Sequence, residues 1–187
     1  MKVTAILGSP RKKGTTTAIA TAFMEQAAFH GADTTFHVLN SMNFQGCQGC
    51  QACKEKREDC VLEDDLTVVL NDMKTSDITV FATPVYYWDV SGQFKLFIDR
   101  TWSLVKPDYL TNPDPARLAK GKKALLITSQ ADIEEKHKDV MQKYSGFLTM
   151  YGYDVATIRA FGMGGEASNP VEPYIAKAKQ IADRMMA

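Results

Sequence analysis

Five short runs rich in β-branched and aliphatic residues punctuate the chain: VTAIL at 3–7, TFHVL at 35–39, ITVFAT at 78–83, ALLIT at 124–128 and VATIRAF at 155–161. Most lack the polar alternation of a half-exposed strand, so they predict strands buried on both faces. Between them, apolar residues recur at three- and four-residue spacings. Ile19, Ala22, Phe23 and Ala27 form one such set; Phe94, Phe97, Ile98 and Trp102 a second; Val140, Met141, Tyr144, Phe147, Leu148 and Tyr151 a third; Ile175, Ala178, Ile181 and Met185 a fourth. That spacing is one face of a helix. A weaker helix is expected over 64–74, with Asp64 or Asp65 as its cap. Strands alternating with helices imply a parallel sheet covered on both sides, because each parallel crossover needs a helix. No repeat, low-complexity tract or linker interrupts the pattern, so residues 1–187 read as one domain. In such a sheet, ligands bind beyond the carboxyl ends of the strands, where the strand order reverses.

Charge narrows the partners. Twenty-two basic and twenty-two acidic residues cancel, which removes any general attraction to nucleic acid or to an anionic membrane. An anion site must therefore be local. The opening MKVTAILGSP lacks the apolar run of a signal peptide, and no stretch approaches the roughly 20 apolar residues of a membrane span. A cytoplasmic protein, with no membrane or nucleic-acid partner and with reduced thiols, is expected.

Two loops at the predicted carboxyl edge carry chemistry. GSPRKKGTTT, residues 8–17, joins the first strand to the first helix. Its glycines permit a tight turn, while Ser9, Thr15, Thr16 and Thr17 set hydroxyls and backbone N–H groups at a helix N-terminus, which attracts anions. Arg11 adds a bidentate donor for phosphate. Five residues separate Gly8 from Gly14 with no Lys-Ser/Thr pair after them, so this is neither a Walker A loop nor G-x-G-x-x-G. The plainer reading is a capped helix behind a solvated basic turn, and Lys12 and Lys13 suit that reading best. TPVYYWDVSGQFKLFIDR, residues 83–100, follows the third strand. Pro84 is expected to end that strand, Tyr86, Tyr87 and Trp88 supply flat rings, and Ser91 with Gly92 introduces the next helix. Such a loop suits a planar heteroaromatic ring held by apolar contact and by backbone polar groups. The backbone of Pro84, Val85, Tyr86 and Tyr87 is the stronger candidate, since any single aromatic here serves equally well in a core or an oligomer contact.

All four cysteines fall in CQGCQACKEKREDC, residues 47–60. The spacing C-x2-C-x2-C-x6-C sets Cys47, Cys50 and Cys53 at three-residue intervals, as a cubane needs from a short wrap of backbone, with Cys60 for the fourth corner. Structural zinc more often draws two separated knuckles. A 4Fe-4S cluster, free thiols and zinc all stay open; disulfides do not suit a reducing compartment. Gly46 and Gly49 would let backbone N–H groups approach cluster sulfurs.

Together, the loop after the first strand, the loop after the third and the cysteine run followed by EDDL resemble the flavodoxin-like iron-sulfur flavoproteins and their relatives, the NADPH-dependent FMN reductases. The resemblance spans residues 1–131 and the generic last strand–helix unit. It implies a three-layer α/β sandwich with a five-stranded parallel sheet of order 2-1-3-4-5 and one non-covalent FMN per chain. By position, Ser9, Arg11, Thr15, Thr16 and Thr17 would hold the FMN phosphate. Pro84, Val85, Tyr86 and Tyr87 would face the isoalloxazine, and Ser129, Gln130 and Ala131 would form a third flavin loop. Relatives usually carry Asn where Thr15 stands. Cys47, Cys50, Cys53 and Cys60 resemble the cluster ligands of the iron-sulfur members. Adjacent strands lie about 5 Å apart, which predicts a cluster close to the FMN.

The implied activity is an FMN-dependent oxidoreductase or electron-transfer flavoprotein, with NAD(P)H as a possible donor and electrons passing between FMN and a 4Fe-4S cluster. One alternative is a cluster-free NAD(P)H-dependent FMN or quinone-type reductase; another is a non-enzymatic FMN- or zinc-binding sensor. The expected partner is a small-molecule or protein redox partner, and a homo-oligomer, dimer or tetramer, is implied. No nucleophile–base constellation competes: His30, His37 and His137 lie on different elements, and Ser9 lacks a G-x-S-x-G elbow. The connection at 106–121 carries prolines at 107, 113 and 115. At that length something is expected to hold it, with Tyr109 and Leu110 available to a neighbouring subunit.

Overall fold

A computed structural model describes residues 1–164 and 168–187. Strands β1 (Lys2–Leu7), β2 (Asp33–Val38), β3 (Ile78–Tyr86), β4 (Asp89–Val90), β5 (Lys123–Ser129) and β6 (Asp154–Ala160) alternate with six helices. These are α1 (Thr15–Phe29), α2 (Ala52–Glu55), α3 (Leu66–Thr75), α4 (Gly92–Arg100), α5 (Lys138–Met150) and α6 (Glu172–Met186). The parallel strands run β2-β1-β3-β5-β6, the expected flavodoxin-like order; β4 lies off this path and pairs antiparallel with β3.

Strand alternation sorts the core into two layers. Val3, Ala5 and Leu7 of β1, Val80 and Ala82 of β3, and Leu125 and Ile127 of β5 face Phe23 of α1 and Ile181 of α6. Ile6, Phe81 and Leu126 point the other way, onto Leu70, Phe94, Phe97 and Tyr144. All of these strand residues are nearly or wholly buried, which is why the runs read as uniformly apolar.

Pro84 does not end its strand, contrary to expectation. β3 continues to Tyr86, with Pro84 opposite Ser129 in the β5 ladder. The carbonyl of Ala82 turns toward β1, accepting from Gly8 N at 2.8 Å. Backbone groups two residues on face the same side, so the N–H that proline lacks would point past Leu7, where pairing with β1 has stopped. Trp102, expected on the helix with Phe94, falls in a 3₁₀ turn at Thr101–Leu104.

Candidate functional site

Three loops converge at the carboxyl edge to line one groove of about 270 Å³. Ser9, Arg11, Thr15 and Thr16 come from the first, Pro84, Val85 and Tyr86 from the second, and Ser129, Gln130 and Ala131 from the third. Two predicted residues fall outside. Thr17 turns its hydroxyl to Arg11 O at 3.3 Å, and Tyr87 stands on the hairpin tip, 92% exposed. Gly14, Met163 and Gly164 also line the groove and were not anticipated. The glycines at 162 and 164, just past the last strand, were the available signal: a Cβ at Gly164 would lie 2.5 Å from Ala131 Cβ.

The phosphate-type loop is organised around the Arg11 backbone. Arg11 N donates to Ser9 Oγ at 3.1 Å, and Gly14 N donates to Arg11 O at 3.1 Å. Gly14 caps α1 without a side-chain hydrogen bond, and the first turn carries no acidic residue. The positive end of the helix is therefore open to an anion. Among the described residues, no ion pair engages the Arg11 guanidinium.

Ser91 latches the first two loops together. Its hydroxyl donates to Gly8 O at 2.7 Å and accepts Phe94 N at 3.4 Å, capping α4. Gly8 has to be glycine, because a Cβ there would stand 2.7 Å from Phe94 Cβ. At the hairpin tip, Tyr87 and Trp88 both have positive φ, 47° and 66°. This left-handed pair costs about 1–2 kcal/mol per residue for L-amino acids. Asp89 secures the tip's far side: it accepts from Val90 N at 2.7 Å, from Lys143 Nζ at 2.7 Å and from Tyr144 Oη at 2.8 Å. Burial tends to raise the Asp89 carboxyl, but these donors outweigh it and hold it below the ordinary carboxylate range. The third loop is braced by Arg159, which donates to Gln130 Oε1 and to the carbonyls of Glu134 and Lys136.

The cysteines sit elsewhere. All four line one pocket with Gly49, Leu62, Arg100, Trp102 and Ser103, and no residue of the flavin-type groove is shared. The segment after β2 runs back along α4. Asn40 meets Gln93 at 2.8 Å, Gly46 packs on Leu96, and Gln45 O meets Arg100 NH1 at 2.8 Å. Travelling from Gly92 to Arg100 carries the chain about 12 Å from the carboxyl edge. Within one chain the cysteines therefore do not line the groove itself.

Arg100 is 1% exposed and is the hub of the cysteine segment. It holds Asp64 through two hydrogen bonds of 2.6 and 3.1 Å, donates to Leu62 O, and donates from Nε to Cys60 Sγ at 3.1 Å. Lys54 donates to the carbonyls of Trp102 and Val105, both at 2.5 Å, and lies 4.2 Å from the Trp102 ring centroid. Burial pushes the Cys53 thiol up, with Lys54 acting against it. The donor chemistry suits a metal, and the two cations would offset thiolate charge. The geometry does not: no group of three or more potential metal ligands converges among the described residues. A hollow of about 490 Å³ beyond Cys60 is lined by Asp59, Glu63 and Asp64. Arg57 also lines it, but the three carboxylates outnumber that one cation, so the smaller groove at the uncapped start of α1 is the flavin candidate.

The strand order and the helices on both faces define a flavodoxin-like fold. The chain belongs to the NADPH-dependent FMN reductase family, whose model matches residues 1–158. An iron-sulfur flavoprotein of Methanocaldococcus jannaschii is 38% identical over 101 residues, 54% of this chain and 52% of that protein. An FMN-dependent NADH:quinone oxidoreductase of Hydrogenovibrio crunogenus is 26% identical, covering 68% of this chain and 64% of its own. The chain spans about half the length of the first curated relatives it matches. Among solved structures, an NAD(P)H:quinone oxidoreductase from Methanothermobacter marburgensis superposes with TM-score 0.78 at 18% identity, covering 99% of this chain and 96% of that one. An FMN-dependent NADH-azoreductase from Bacillus anthracis, in complex with FMN, superposes with TM-score 0.75 at 15% identity over the whole of both chains. At these identities the superpositions show the fold. No helix among the described residues is long and apolar enough to cross a membrane.

Proposed function

We propose that the chain is an FMN-dependent oxidoreductase that takes electrons from NAD(P)H and delivers them to a small-molecule acceptor of the quinone type or to a protein partner, in the cytoplasm. The observation that carries this is the groove at the carboxyl edge, where an unpaired Arg11, the uncapped start of α1 and the Thr15 and Thr16 hydroxyls meet Pro84, Val85 and Tyr86 of the second loop. The residues fit FMN: Ser9, Arg11, Thr15 and Thr16 would hold the phosphate, while Pro84, Val85, Tyr86, Ser129, Gln130 and Ala131 would border the ring. Bound FMN supplies two-electron acceptance from a nicotinamide and stepwise release to an acceptor. The protein's part is to bind, orient and limit water access. Ser91 keeps the two loops in register, and Arg159 holds the third loop against the groove. Titrating apoprotein with FMN, followed by NAD(P)H oxidation assays with a quinone, tests this reading. Absence of FMN binding at micromolar concentration would remove it.

A second reading is favoured by the four thiols sharing one pocket beside two cations and by the relatives named as iron-sulfur flavoproteins. In it, Cys47, Cys50, Cys53 and Cys60 hold a 4Fe-4S cluster after rearranging, and electrons pass between cluster and FMN. The cluster-free reductase is equally consistent with the family and with the two separate pockets. Iron and acid-labile sulfide analysis after anaerobic purification decides between them.

A further inference from the structure

The hairpin tip is built against local preference, and the residues that compensate for it lie outside the groove. Tyr87 and Trp88 fill two left-handed positions that two-residue hairpins ordinarily give to Asn-Gly or Asp-Gly. Their rings meet only edge-on, centroids 4.8 Å apart, and both are exposed. Within the hairpin, the backbone pairing of Tyr86 with Asp89 closes the turn, but no side chain of the tip itself anchors it to the rest of the molecule. Asp89 does, and Asp89 is the ladder partner of Tyr86, which lines the groove.

Asp89 is in turn held by α5. Tyr144 Oη donates to its Oδ1 at 2.8 Å and Lys143 Nζ to its Oδ2 at 2.7 Å. The Tyr144 ring is 2% exposed and stands edge-on to Phe94, with centroids 6.2 Å apart. Core packing therefore fixes the hydroxyl. A chain of contacts runs from the core through Tyr144 and Asp89 to the rim of the groove.

We propose that Tyr144 is a positioning residue whose hydroxyl, acting through Asp89, holds the strained tip at 87–88, and with it Tyr86 at the groove, in the shape that receives the flavin ring, and so sets the ring part of flavin affinity without touching the phosphate part. This rests on the flavin reading above. Without the hydroxyl, the tip is free to leave its left-handed conformation, and the fraction of molecules with a formed ring site falls. Apparent affinity falls by that same fraction for any ligand carrying the ring. FMN and riboflavin, which differ by the phosphate alone, would therefore weaken together.

The test is a titration of apoprotein with FMN and with riboflavin, on wild type, Tyr144→Phe and Lys143→Met, with melting curves alongside. Tyr144→Phe keeps the buried ring and is expected to weaken both flavins by about tenfold with their affinity ratio unchanged. Lys143→Met, at a half-exposed position, is expected to weaken both by about twofold to threefold, and it carries the test should Tyr144→Phe fail to fold. A merely structural role would lower the melting temperature and leave both affinities of the folded protein intact, which overturns the proposal. So would a loss of FMN affinity with riboflavin unaffected. Wild type binding neither flavin removes the flavin reading itself, an outcome told apart from failure of the latch because it needs no variant.

Discussion

At the scale of single residues, two arginines take opposite roles. Arg11 sits in a basic turn and stays open at the groove beside Ser9, Thr15 and Thr16. Replacing Arg11 and Thr16 together with Ala should weaken FMN binding by about 100-fold, two charge-assisted or helix-end contacts at roughly 1.4 kcal/mol each, with the melting temperature little changed. Equilibrium titration checks this. Arg100 ends an amphipathic helix, where a cation reads as a solvated partner for the helix dipole, yet it is buried under the cysteine segment. Asp64→Asn would leave that guanidinium without its carboxylate and cost about 3 kcal/mol, measurable by urea denaturation. Burial works to raise the Asp64 carboxyl, but hydrogen bonds from Arg100 and from backbone N–H groups leave it lowered overall. The unfolded chain therefore binds that proton more tightly. The pair's contribution is complete above the unfolded carboxylate value of 3.8 and is lost as pH falls through the lower folded value. Wild type and Asp64→Asn should converge in stability under strong acid.

At the scale of elements, the cysteine run is where sequence and structure part furthest. Spacing alone set three thiols at equal intervals, and adjacency of strands suggested a position near the flavin edge. Neither consideration says in which direction a long β–α connection travels. Here it folds back over α4, because Asn40, Gln45 and Asp64 find partners in Gln93 and Arg100 along that helix. The short α2, Ala52–Glu55, then fixes Lys54 over Trp102. If the cluster reading is right, Cys50→Ala should lower iron well below four per chain while FMN stays bound, since the flavin-type loops lie on other segments. Retention of the full iron complement would defeat the ligand assignment. The phosphate-type element was far more legible. A glycine-bounded turn at the start of its own helix depends on few distant contacts, so local sequence sufficed to bring Ser9, Arg11, Thr15 and Thr16 to one groove.

At the scale of the whole molecule, the expectation of a homo-oligomer stands as a proposal with a definite test. The connection at 106–121 is held by its own chain to a greater extent than foreseen. Val105 pairs with Ala116, Arg117 reaches the carbonyls of Ser103 and Val105, and the Tyr109 ring lies edge-on to Trp102 at 5.1 Å. Leu110 remains 83% exposed. Light scattering at micromolar concentration should give a dimer or tetramer, and Leu110→Asp should shift it toward monomer if that residue meets a neighbour. An unchanged mass for the variant would confine the connection to an intrachain role.

The sequence by itself determined the layer architecture, because short, uniformly apolar runs between one-sided helices fit a parallel sheet buried on both faces, while the strand order followed from the family resemblance of the loops. It also indicated where a ligand groove would lie, because loops at the carboxyl ends of such strands form the crevice. Only the tertiary structure decided which side chains close it. Met163 and Gly164 arrive from a loop more than 30 residues beyond Ala131, and Asp89 is restrained by Tyr144 from 55 residues away. Such contacts depend on how helices pack across a sheet face, and helical periodicity specifies the face of each helix without naming the partner that face will meet.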